Sequence, residues 1–103
     1  MKLTIIRGDG AVYKDGISYL HLDLTAVPSD VHALQFNDAT NKGWVEFVIT
    51  DEGHKPPNEN ITSLPEWAIT ALTKWEEAKV TEDAARAAAA EAIANQPQMM
   101  APS

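Results

Sequence analysis

Residues 31–50, VHALQFNDATNKGWVEFVIT, constrain the fold of this chain more than any other stretch. Two apolar-rich runs, 31–36 and 44–49, flank a polar segment of Asn, Asp, Thr and Gly. β-Branched and aromatic residues on either side of such a segment predict a β-hairpin. Alternation puts Val45, Phe47 and Ile49 on one face, and Trp44, Glu46 and Val48 on the other. The first face is wholly apolar, and the second carries a charge between two apolar side chains. The hairpin is therefore expected at the centre of a small sheet.

Residues 2–7 read as a strand, closed by the Gly8-Asp9-Gly10 turn. Residues 11–13 form a short second strand before Asp15-Gly16. Residues 17–24 alternate, with Ser18, Leu20, Leu22 and Leu24 on the expected core side. Pro28 marks a connection by disfavouring helix at Val27. Residues 51–60 form the longest irregular stretch, and Pro56-Pro57 should end the strand series there.

A helix start follows. Ser63 is an expected N-cap, Pro65 falls in the first turn and Glu66 suits the positive end of the helix dipole. Leu64, Trp67 or Ala68, Ala71 or Leu72, Trp75 and Ala78 keep helical spacing, which packs Trp67 and Trp75 against the sheet. Lys74, Glu76, Glu77 and Lys79 should face water. From Thr81 the chain becomes alanine-rich, strongly helix-forming but poor in side-chain area to bury. One continuous helix, or a second one capped near Thr81, both satisfy the pattern.

The expected class is α+β: a small, mostly antiparallel sheet of four to five short strands, then a C-terminal helix or helix pair. The boundaries are an antiparallel β region over 1–63, a helical segment over 64–96 with an optional break near 80, and an irregular tail over 97–103.

The chain carries 8 Lys and Arg against 15 Asp and Glu, a net charge of −7. This disfavours a nucleic-acid partner, because phosphate binding requires clustered cations. With no cysteine, thiolate chemistry and disulfides are excluded. No apolar run approaches the roughly 20 residues of a membrane span, so membrane insertion is not expected. His21, His32 and His54 lack ligand spacing, and ordinary strand or loop histidines are the default reading. The carboxylates form no recognisable pair, Asp51-Glu52-Gly53 lacks the alternation of a calcium loop, and Gly8-Asp9-Gly10 lacks the following helix of a phosphate loop. The expectation is accordingly no enzyme, no metal and no cofactor.

Among Phe36, Trp44, Phe47, Trp67 and Trp75, most should be core in so small a domain, with one or two exposed as anchors for a protein partner. Trp44, Trp67, Trp75, Ala84, Ala88 and Ile93 are the candidate interface residues. The alanine-rich stretch is either a solvated extension or a helix that packs closely on another chain.

Residues 33–36 (ALQF), 43–47 (GWVEF) and 58–67 (NENITSLPEW) bring a resemblance with them. Over about residues 11–79 the chain resembles a group of small tailed-bacteriophage proteins encoded among tail and tail-fibre genes. The resemblance implies a non-enzymatic virion component bound to tail-fibre or baseplate proteins, made in the host cytoplasm and then carried in the tail. It transfers no catalytic residue. The alternatives are a tail-fibre assembly chaperone absent from the mature particle, or a small host-directed binding protein. A homo-oligomer, a trimer among the options, would form through the helix, although no sustained heptad supports it.

Overall fold

The computed structural model describes residues 1–94, side chains to residue 92. Its six strands are β1 (Lys2–Ile6), β2 (Ala11–Lys14), β3 (Ile17–Tyr19), β4 (Val31–Asn37), β5 (Lys42–Phe47) and β6 (Glu59–Ile61), followed by one helix, α1 (Glu66–Ala94). The strands form a single sheet in the order β3-β2-β1-β4-β5-β6, and every neighbouring pair is antiparallel. The fold is α+β, with one strand more than the upper expectation.

The central hairpin forms, but its second strand runs over Lys42–Phe47 rather than 44–49: Val45 and Phe47 take the inner face as expected, while Ile49 falls beyond the strand and is exposed. Asn37 opens the turn, its Oδ1 accepting from Ala39 N at 2.9 Å, and Asn41 takes a positive φ of 52°. This is the local side-chain bonding that makes Asn a turn residue. Asp15 and Gly16, at φ 50° and 86°, make the tight β2–β3 connection. Two successive positive φ values are what a type I′ hairpin turn requires.

Leu3 and Ile5 of β1 sit opposite Phe36 and Leu34 of β4, while Val12 and Val45 extend the same face to β2 and β5. These six side chains are buried in one cluster. Leu24 and Val27 from the 20–30 connection join it, as do Ala68, Ala71 and Trp75 from α1. The sheet therefore has an inner face roofed by helix and connection. The opposite face carries Lys2, Tyr13, Ser18, Lys42, Trp44 and Asn60, all exposed.

Three expectations are corrected. The strand predicted over 17–24 stops at Tyr19. His21 adopts a left-handed φ of 59°, and Leu22 N turns back to donate to Gly10 O at 2.9 Å. Of the predicted core leucines, Leu20 is 53% exposed, Leu22 half-buried and only Leu24 buried, from a loop. Secondly, the stretch read as irregular, 51–60, ends in the start of a further strand, β6, which pairs Ile61, Asn60 and Glu59 with Gly43, Trp44 and Val45. Thirdly, α1 begins at Glu66, one residue beyond Pro65, whose carbonyl accepts from Ala68 N and Ile69 N. Pro65 thus stands at the capping position assigned to Ser63. The helix runs through 80 without a break, since Thr81 is followed by neither Gly nor Pro. The expected tail, 97–103, lies outside the described residues.

In the 20–30 connection, Asp23 Oδ1 accepts from Thr25 Oγ1 at 2.7 Å and from Thr25 N at 3.1 Å. These bonds, the side-chain one first, hold the Asp23 carboxyl below its ordinary pKa. A depressed folded-state pKa contributes stability that is present above the unfolded value and fades as pH falls through the folded one. Thr25→Val should therefore raise the Asp23 titration midpoint, read by carboxyl-carbon NMR. An unchanged midpoint would mean that the hydroxyl bond is not made in solution.

Candidate protein-interaction surface

Helix α1 divides into two parts. In the first, Ala68, Ala71 and Trp75 are buried, and Trp67 and Leu72, with Leu64 just before the helix, pack partly against the same cluster. The indole N–H of Trp75 donates to Ile17 O at 3.0 Å. Its ring meets Tyr19 edge-on at 5.7 Å between centroids. Lys14 Nζ lies 4.8 Å from the same ring and 3.8 Å from Glu76 Oε1. One side chain thus joins the helix, edge strand β3 and the end of β2.

Lys74 and Lys79, expected in water, are half-buried, with Lys79 bonding Asp83 at 2.9 Å. Long aliphatic stems can lie along apolar surface while the ammonium stays wet. Tyr19, Leu22, Lys74, Ala78, Thr81 and Glu82 line a shallow groove beside the helix. The Tyr19 phenol is pushed above its ordinary pKa, chiefly by loss of surrounding water and then by the Glu82 carboxylate.

Beyond Glu82 the helix leaves the sheet. Every side chain from Asp83 to Ala92 is exposed. The last twelve residues of α1, 83–94, amount to about 18 Å of projecting helix at 1.5 Å per residue. Two described ion pairs reach this segment, Arg86 with Glu82 and Asp83 with Lys79, each to a residue one turn earlier on the same helix.

The candidate interface residues separate accordingly. Ala84 and Ala88 are exposed on the projecting helix. Ile93 belongs to α1, but its side chain lies outside the described residues. Trp67 is half-buried over a recess that also involves Val31, Val45, Phe47 and Ile61. Trp75 is 4% exposed and is corrected from interface candidate to core anchor. Trp44 is 41% exposed on the open sheet face, 3.0 Å from Glu46 Oε2 through its indole nitrogen. Tyr13 and Gln35, which share that face, were not singled out from sequence. Only the strand register places them beside Trp44, although their alternation within β2 and β4 was a usable signal.

Among the described residues, no group of three or more His, Asp or Glu side chains could hold a metal ion. His21 occupies a turn, His32 lies in β4 and His54 sits in the 48–58 connection. No described helix is long and apolar enough to cross a membrane. Comparison with protein-family models, with curated proteins and with solved structures finds no match to this chain.

Proposed function

We propose that the chain is a non-enzymatic structural component of a phage tail, gripped through the projecting end of α1 by a tail-fibre or baseplate protein. The observation that carries this reading is the helical end beyond Glu82, anchored by Trp75 upstream, whose described side chains, 83–92, are all exposed. An isolated helix of that length is marginal in water and gains most of its stability from packing on something else. Alanine side chains let another backbone approach closely along its whole length. The resemblance over residues 11–79 supplies the setting, with the host cytoplasm as the site of synthesis and the virion tail as the destination.

Quantitative mass spectrometry of purified particles tests the assignment. A fixed copy number, in step with a known tail protein, is the expected result. Abundance in infected cells with absence from particles would overturn it in favour of an assembly chaperone or a host-directed binder.

Truncation after Arg86 tests the grip. The melting temperature of the remaining chain should stay within about 2 °C of the full-length value, because the removed side chains that are described, 87–92, are all exposed. Co-purification with the tail partner should be lost. A fall of 10 °C or more, on the order of 2 kcal/mol for a domain of this size, would assign the segment to the chain's own core.

A further inference from the structure

The open face of the sheet is a second surface to consider, and its reading stands on that face alone, not on the tail assignment. The register aligns Tyr13, Thr4, Gln35, Trp44 and Asn60 in one row across β2, β1, β4, β5 and β6. Helix α1 and the 20–30 connection both contribute to the opposite face. Tyr13 and Trp44 remain 37% and 41% exposed.

The row is held in place before any ligand arrives. The indole N–H of Trp44 is satisfied by Glu46, two residues along the same strand and on the same side. That bond ties down the exposed ring and uses its only donor, so what the ring still offers is an apolar π surface. Thr4 Oγ1 donates to Gln35 Oε1 at 2.7 Å, which fixes the amide and leaves both of its N–H donors for a ligand. Glu46 keeps a second carboxylate oxygen as an acceptor. Beside the fixed Trp44 ring, then, stand an amide donor and a carboxylate acceptor, with Tyr13 as a second ring further along the row.

Size and charge select the occupant. The five strands of the row, at about 4.8 Å spacing and averaging about five residues at 3.4 Å, give a footprint of roughly 400 Å². A stable protein–protein interface needs about 800 Å² per partner. A single-stranded nucleic acid would stack on such rings, but it needs a cationic groove along its backbone. This face offers Lys2 and Lys42 at one margin of a chain with net charge −7. The ligand that fits is small, uncharged, rich in hydroxyls and bears flat C–H surfaces. We infer that the row centred on Trp44 and Gln35 binds a neutral saccharide chain, one sugar ring lying on the Trp44 indole and its hydroxyls bonded to Gln35 and Glu46.

The test is NMR titration of the ¹⁵N-labelled full chain with neutral hexasaccharides (maltohexaose, cellohexaose and mannohexaose) and with a ten-residue oligothymidylate. At least one hexasaccharide should shift the Trp44 indole N–H saturably, while the indoles of Trp67 and Trp75 stay put. Trp44→Ala should weaken that binding about tenfold or more, the scale of losing one stacked ring, and Trp44→Phe should retain most of it. Gln35→Ala, which keeps both rings, should also weaken it, and serves if Trp44→Ala does not fold. Three results would each overturn the inference: no shift with any hexasaccharide at 10 mM (order of the weakest specific affinity worth the name), equal binding by the variants, or a response to oligothymidylate alone. Trp44 shifts that depend on protein concentration without sugar would instead make the face a contact between copies.

Discussion

Replacing Trp75 by alanine is expected to remove about 3–5 kcal/mol of stability, the usual cost of deleting a large buried aromatic. Single domains are commonly stable by only 5–15 kcal/mol in total, so the variant should melt well over 10 °C below the parent. The size of the effect follows from how many parts of the fold meet at this side chain. Its ring fills the space beneath the helix, its N–H bonds the Ile17 carbonyl, and Tyr19 and Lys14 pack on its edge and face. Trp75→Phe keeps most of the apolar area but loses the N–H donor, and should cost about 1–2 kcal/mol. Thermal melts followed by circular dichroism would separate the two variants. A loss below about 1 kcal/mol for Trp75→Ala would show that the helix is held by other contacts.

Gly43→Ala is the second large effect. Gly43 pairs with Phe36 on one side and Ile61 on the other, so it sits inside the sheet. A Cβ at this position would lie 2.8 Å from both Phe36 Cα and Phe36 Cδ1, and closer still to the Gln35 carbonyl. The obstacle is backbone, which cannot rotate aside as a flexible side chain would. Either the β4–β5 ladder spreads or Phe36 leaves the core, at an expected cost of about 2–4 kcal/mol. Gly8→Ala is the control, because a Cβ there meets nothing within 4 Å. Similar melting temperatures for the two variants would mean that the ladder yields without penalty. The consequence reaches beyond stability, since Trp44 is the next residue and its ring position depends on the same ladder.

The central hairpin was legible because two independent signals agree there: runs rich in β-branched and aromatic residues at 31–36 and 44–49, and a turn rich in Asn, Thr and Gly. The helix start and its buried stripe were legible for the same reason, with Pro65, Glu66 and the spacing of Ala68, Ala71 and Trp75 all concordant. The 17–24 stretch misled because its alternation is as regular as that of a true strand. What overrides it is tertiary: His21 turns left-handed, and Leu22 N bonds back to Gly10 rather than to a strand partner. Strand β6 was hidden by the prolines at 56 and 57, which exclude ladder donors only at their own positions. Of the candidate interface set, Trp75 could not be told from an exposed anchor by residue type, because Trp is favoured in cores and interfaces alike. The row from Tyr13 to Asn60 is invisible in the linear chain, since its members, Thr4 to Asn60, lie as far as 56 positions apart and become neighbours only through pairing.

The two outermost strands, β3 and β6, are three residues long each. Long, flat, unpaired edges are templates on which further chains add strand by strand, and short ones deny that template its length. β6 is also preceded by Pro56 and Pro57, which cannot donate to an added ladder. The sheet should therefore resist fibril growth even when warmed or concentrated, and clumping after heating should start from unfolded chains rather than from edge-to-edge stacking of intact ones.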